Sequence, residues 1–391
     1  MAGGCDGHRD VLVRRHLRGT DFIIARDGRN YESTLPRGVL PVDSSDAARA
    51  IISRIMLHFG ISQHLTWIAM LSIVSLSVSC PQGSNFGVAQ TPSPSASVWR
   101  ADHHMHLTSA ELCALVGECL PSNQPPAVFA ADAVRALDEA HIAKGIVLSC
   151  AYLYGLSSLH LKPDDLAVKT RKENEFTAAQ VAQYPERLVG FLSVDPLADS
   201  AVDEIHHWQG SKQLIGLKLH FFASTVNIRS IRERRQVVKV VRTASAEGLP
   251  MVIHVGGGKF DAADAELFIR DVLPSAGPSW VQIAHAGAGF PPHGGNNLAV
   301  LRTFADHIVR DDPATRRVLF DISYLPAPDE PRQATVSLVE QMRRIGIKRF
   351  VFGSDFNVLT PLQEIKNIDK LGLTGEELGI LKQNCAPWVC S

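Results

Sequence analysis

The stretch ADHHMHL, residues 101–107, places three histidines and an aspartate within seven residues. Read as a β-strand, its side chains alternate between two faces, so His104 and His106 share one face and His103 and Met105 the other. A single histidine at a strand end is usually a satisfied polar residue. Two at i, i+2, just after Asp102, raise the prospect of a metal site, with His103 as a bystander turned toward covering helices. The rest of the chain decides between them.

Moving outward, β-rich apolar runs recur to the C-terminus: VWRADHHMHL (98–107), GIVLSCAYL (145–153), LVGFLSVDP (188–196), LIGLKLHFF (214–222), PMVIHVGG (250–257), WVQIAHAG (280–287), RVLFDISYL (317–325) and RFVFGSDF (349–356). Between them lie segments with helical spacing, such as AADAVRALDEAHI, NIRSIRERRQVVKVVRTASAEG and PRQATVSLVEQMRRIG, several ending at a glycine as a helix stop should. Run starts fall 26–47 residues apart, the spacing of βα units. Nearly continuous apolar strands fit a parallel sheet covered by helices, and eight such units predict a (β/α)8 TIM barrel over residues 98–391. A doubly wound open sheet is the alternative, but no Gly-rich phosphate loop follows the first strand.

In a (β/α)8 barrel the chemistry gathers at the C-terminal ends of the strands. There the fourth run carries Lys218 and His220, the fifth His254, the sixth His285 and the eighth Asp355. Each alone has an ordinary reading as a buried hydrogen-bonded side chain or a loop cap. Their coincidence with His104 and His106 points to one divalent-metal site, and imidazole with carboxylate suits Zn²⁺, with Mn²⁺ or Fe²⁺ also fitting. Asp321, on the seventh run, is placed to orient the site from behind its ligands or to close a cap or internal ion pair. Tyr152, Tyr154, Phe222, His293, Tyr324 and Asn357 are candidate lining residues by position alone.

From about residue 98 onward the chain resembles the amidohydrolase superfamily, in its amidohydrolase-related branch of TIM-barrel metal-dependent hydrolases. The resemblance rests on Asp-x-His-x-His (Asp102, His104, His106), Gly-x-Lys-x-His (Gly216, Lys218, His220), Ile-His-Val-Gly (253–256), Ala-His-Ala-Gly (284–287) and Phe-Gly-Ser-Asp (352–355). It implies a metal held by His104 and His106, with Asp355 as ligand and catalytic acid/base. In one-metal members the strand-five histidine, here His254, also binds that metal, and His285 orients water or substrate. In two-metal members His254 and His285 hold the second ion, and a carboxylated Lys218 bridges the pair. Unmodified, Lys218 has donors and no lone pair, and with His220 it would bind substrate. The implied activity is hydrolysis of a small lactone, amide or ester by metal-activated water, Asp355 taking the proton. Metal-dependent decarboxylases share this branch, and a non-catalytic exported metal- or carbohydrate-binding protein is a third reading.

Composition adds bounds. With 45% apolar and 20% charged residues the chain is globular in balance, and a net charge of −1 provides no field to recruit nucleic acid or an anionic membrane, leaving a small-molecule substrate as the expected partner, with a homo-oligomer possible. Residues 1–55, with nine Arg and no Lys, read as a poorly ordered extension or an over-extended start. Residues 56–97 hold an apolar core, Trp67 to Val78, too short for a comfortable membrane span, then a Pro/Ser-rich linker with a small-residue cleavage candidate at 87–89. If a start at Met56 makes this a signal peptide, the protein is exported or periplasmic. If it is instead a buried or N-terminal helix, the protein is cytoplasmic. The pairs Cys113/Cys119 and Cys385/Cys390 are close enough to form disulfides in an exported protein.

Overall fold

The computed structural model describes residues 99–119, 127–257, 260–287, 294–326 and 331–390. The extension, the signal-like segment and linker, and His293 lie outside them. Eight strands, β1 (Trp99–Met105), β2 (Ile142–Leu148), β3 (Leu188–Ser193), β4 (Leu214–His220), β5 (Met251–His254), β6 (Val281–Ile283), β7 (Val318–Asp321) and β8 (Phe350–Val351), form one sheet in chain order, each parallel to the next. The segment after β8 returns to β1: the His103 amide donates to the Phe352 carbonyl (2.8 Å) and the Asp355 amide to the His104 carbonyl (2.8 Å). The sheet thereby curls into the expected (β/α)8 barrel.

Period-two alternation sorts the strand side chains into two packing layers. Leu217 and Leu219 of β4 and Met251 and Ile253 of β5 join the cluster under the helices, where burial stabilises by about 1.5–3 kcal/mol per large apolar side chain. Helix Ile231–Ala246 shows how the sequence supplies the cover. Ser230 caps its N-terminus through the Glu233 amide, Val237, Val240, Val241 and Ala244 form its buried stripe, and Gly248, at φ 72°, turns the chain toward β5. The inward side chains Ile146, Leu148, Phe191, Val252 and Leu319 form a second cluster with Ala386 and Val389 of the C-terminal turn. Gly216 makes room for Phe191 there, since a Cβ at residue 216 would lie 2.3 Å from its ring. The site residues stand one or two inward positions beyond this floor.

Two expectations need correction. The ladder between β1 and β2 shifts register between Asp102 and Met105, so strict alternation fails at this point. Met105 and Leu107 do face the helices, but His103 hydrogen-bonds the amide of Ala386, a member of the inner cluster. Among the cysteines, Cys385 and Cys390 are joined, whereas Cys113 is a buried free thiol. Among the described residues no helix is long and apolar enough to cross a membrane.

Candidate metal centre

The barrel mouth is assembled from strand ends. His104, His106, Lys218, His220, His254, His285 and Asp355 are all buried, none more than 8% exposed. The Nε2 atoms of His104 and His106 approach to 3.2 Å, and each lies 3.5 Å from Asp355 Oδ1. Ligand atoms of His104, His285 and Asp355 all lie within 4.8 Å of one another. The structure thus brings together His104, His106, His285 and Asp355. His254 stands farther around the mouth, its ring stacked on His220 (4.0 Å between centroids) and 4.6 Å from that of His285.

The outer nitrogens of these rings are anchored, which orients the inner ones. His104 Nδ1 lies 3.1 Å from Asp321 Oδ2, and His106 Nδ1 lies 2.9 Å from the Leu148 carbonyl. His285 Nδ1 lies 3.0 Å from the Ser323 carbonyl. Carbonyl and carboxylate oxygens only accept, so each Nδ1 carries the proton, and a neutral imidazole so held turns an Nε2 lone pair inward. Burial keeps His104 neutral, lowering its pKa to about 3, helped by the Lys218 charge and opposed by Asp321. Asp321 itself accepts from Gln282 Nε2 (2.6 Å), the His285 amide (2.9 Å) and Ser323 Oγ (2.5 Å). Burial alone would raise its pKa, but the neighbouring imidazoles hold it well below the usual carboxylate range. Asp321 is therefore the orienting carboxylate behind His104.

Asp355 is likewise held anionic. Burial opposes this, and the contact with His106 and the other surrounding imidazoles overrides it. Among the described residues its buried Oδ2 has no hydrogen-bond partner. Its backbone is left-handed (φ 60°), as are those of His285 (φ 52°) and Ala286 (φ 51°), a conformation that costs about 1–2 kcal/mol for a non-glycine residue and gathers at functional sites. Asp102 supports the turn, its Oδ1 accepting from the His104 (3.1 Å) and Ser354 (3.0 Å) amides.

Lys218 Nζ lies 3.2 Å from His104 Nε2. Burial pulls its pKa down to about 8 against the pull of Asp321 and Asp355. His220 accepts from the Ala223 amide at Nδ1 (3.2 Å), which leaves its proton on Nε2, and burial keeps it neutral. Tyr152 packs on His220 at 4.6 Å and belongs to the mouth. Tyr154 instead packs with Leu112 and Val116, Phe222 is half exposed and Asn357 is exposed. Sequence reasoning missed Ser323, whose Oγ lies 2.8 Å from His285 Nδ1 and 3.2 Å from His104 Nδ1. The period-two rule from Asp321 was signal enough to find it. It also missed Gln282 and Cys150, whose Sγ is 3.4 Å from His106 Nδ1.

The residues fit a divalent cation. Zn–N distances of 2.0–2.1 Å imply ligand-to-ligand edges of about 3.4 Å in a tetrahedron and about 3.0 Å in an octahedron, which bracket or closely match the 3.2 and 3.5 Å separations seen here.

Comparison with known proteins places the chain. Among solved structures it is similar to 5-carboxyvanillate decarboxylase from Novosphingobium aromaticivorans, complexed with manganese (12% identity, 75% of this chain and 96% of that one, TM-score 0.52). An amidohydrolase from Burkholderia multivorans aligns with 13% identity over 73% of this chain and 96% of that one, TM-score 0.51. A probable 2-pyrone-4,6-dicarboxylic acid hydrolase from Acinetobacter baumannii aligns with 15% identity over 72% and 95%, TM-score 0.48. At such identities the first two likenesses speak for the barrel alone. No curated protein matches the chain. The family model described as Amidohydrolase matches residues 101–380, a span that takes in every strand end described above, and the chain belongs to that family.

Proposed function

We propose that this chain is a metal-dependent hydrolase of a small lactone, amide or ester. The observation that carries the reading is the convergence of His104 Nε2, His106 Nε2 and Asp355 Oδ1 at 3.2–3.5 Å, beside an Asp355 Oδ2 that has no hydrogen-bond partner among the described residues. Two inward ring nitrogens and a carboxylate oxygen at that spacing are a donor set suited to a divalent cation. His104, His106, Asp355 and His285 would hold the ion, and Zn²⁺ suits their donor set best. A second ion would call on His254 with His285 and a carboxylated Lys218. When bound, a divalent cation lowers the pKa of water from 15.7 toward ~7, so that even a weakly basic carboxylate can accept its proton. Asp355 Oδ2 accepts that proton and returns it to the leaving group. His220 donates from Nε2 to the substrate, Tyr152 packs against it, and the buried Lys218 ammonium holds a negative substrate group.

Decarboxylation is the second reading, favoured by Lys218 standing at the mouth as a buried cation able to hold a carboxylate. Some barrels of this fold, including the manganese-bound 5-carboxyvanillate decarboxylase from Novosphingobium aromaticivorans, are decarboxylases. A product assay separates the two. Metal-replete protein is offered lactones, esters and amides with acid release followed, and aryl carboxylates with CO₂ release followed. Acid release that falls by roughly 10²–10⁴-fold in Asp355→Asn supports hydrolysis. CO₂ release puts the second reading in its place, and inactivity on both panels overturns both. Export remains part of the proposal through the Met56 segment, in keeping with the Cys385–Cys390 disulfide.

A further inference from the structure

We propose that His103 is a positioning residue for the metal centre, and that the C-terminal turn closed by the Cys385–Cys390 disulfide is its clamp. The inference rests on the metal-centre reading above. His103 sits on the seam where β1 meets the segment after β8, and every polar atom it has is engaged there. Its amide and its Nδ1 both donate to the Phe352 carbonyl, at 2.8 and 2.9 Å. Its Nε2 accepts from the Ala386 amide at 3.0 Å. Its carbonyl accepts from Gln282 Nε2 at 3.2 Å, and the same Gln282 nitrogen donates to the Asp321 carboxylate that holds His104. Phe352 lies three residues before Asp355, and His103 is joined to His104 by one peptide bond. One imidazole therefore fixes both strand ends that carry the inward lone pairs.

The far side of this ring is held by the C-terminal turn. Asn384 Nδ2 donates to the Ile347 (2.9 Å) and Phe350 (2.8 Å) carbonyls, tying the turn to the start of β8. Ala386 and Val389 are buried in the barrel floor, and the Trp388 ring lies 6.2 Å from that of Phe191. The disulfide spans this segment, Cys385 to Cys390, and brackets Ala386. Reduction by a dithiol, which becomes a disulfide as the two cysteines take up its protons and electrons, frees the turn to leave the floor and withdraws the Ala386 amide from His103. Metal ligands tolerate displacements of only about 0.5 Å, and loss of a group that orients them costs 10–100-fold in metal affinity.

The test measures Zn²⁺ affinity by chelator competition, with thermal unfolding of the same samples, in the wild type, His103→Ala, His103→Gln and the Cys385→Ser/Cys390→Ser pair. His103→Ala is expected to bind Zn²⁺ 10–100-fold more weakly. His103→Gln, whose amide both donates and accepts, is expected to recover most of that loss, and the serine pair is expected to fall between wild type and His103→Ala. A lower melting temperature with unchanged Zn²⁺ affinity in His103→Ala would make the residue structural only and overturn the proposal. If His103→Ala does not fold, unchanged affinity in the serine pair overturns the clamp. A wild type that takes no Zn²⁺ removes the metal-centre reading itself, and this inference with it.

Discussion

Asp355 and Lys218 carry the two charges that decide what the mouth can do. The Asp355 carboxylate is held well below its usual range, so it enters the reaction as an anion at any physiological pH. Asp355→Asn keeps the shape and removes that anion. The expected result is loss of activity by two to four orders of magnitude with the barrel still folded by circular dichroism. Lys218 titrates near 8, pulled down chiefly by burial. It is an ammonium below that pH and an amine above it. If it holds a substrate carboxylate, KM for that substrate rises as pH passes about 8 while kcat changes less. Lys218→Met should raise KM and flatten the profile, which a pH series of initial rates would reveal. A pH-independent KM in the wild type would point instead to a lysine without free charge, as in the carboxylated form.

At the scale of elements, the seam between β1 and the segment after β8 decides whether the ligands meet. Gly353 sits there because nothing larger fits: a Cβ would lie 2.8 Å from His104 Cβ and 3.2 Å from Ser323 Cβ, both too near the backbone to swing away. Gly353→Ala is expected to destabilise by about 1–3 kcal/mol and to weaken metal uptake, read by denaturant unfolding and metal analysis of the same preparation. The eight strands were legible in the sequence because each combined a nearly continuous apolar run with a glycine-marked helix stop before it or a polar residue at its end. His104, His106, Lys218, His220, His254 and Asp321 lay where the strand period of two put them. His103 was misread because a register shift depends on the partner strand, which the period of one strand does not contain. Its hydrogen bond to Ala386 joins residues 283 positions apart, a contact only the closed barrel creates. Likewise, the resemblance implied His254 as the ligand of a single metal and left His285 to orient water or substrate. In the structure His285, at a left-handed backbone position, has a ligand atom within 4.8 Å of those of His104 and Asp355, and His254 is stacked on His220.

For the molecule as a whole, the mouth concentrates buried polar groups that a ligand would satisfy: an ammonium, imidazole nitrogens 3.2 Å apart, and a carboxylate oxygen without a partner among the described residues. A cation bound only by the folded state stabilises it by about 2.7 kcal/mol at a hundredfold excess over Kd, so chelation should lower the melting temperature and added Zn²⁺ restore it. Acidification should act in the same direction. The pKa of Asp355 is depressed in the folded state, so its stabilising contribution is present above the ordinary aspartate pKa and is lost as pH falls toward the depressed value. Calorimetry from about pH 5 down to about pH 2 would follow that loss, which Asp355→Asn should reduce. The measurement that tests the account most directly is metal content per chain by mass spectrometry, on protein purified without chelators, beside the His104→Ala/His106→Ala double variant. About one divalent ion per chain is expected on this account, or about two with a carboxylated Lys218, with near-complete loss in the double variant. A wild type with no metal, or a double variant that keeps its full complement, would contradict it.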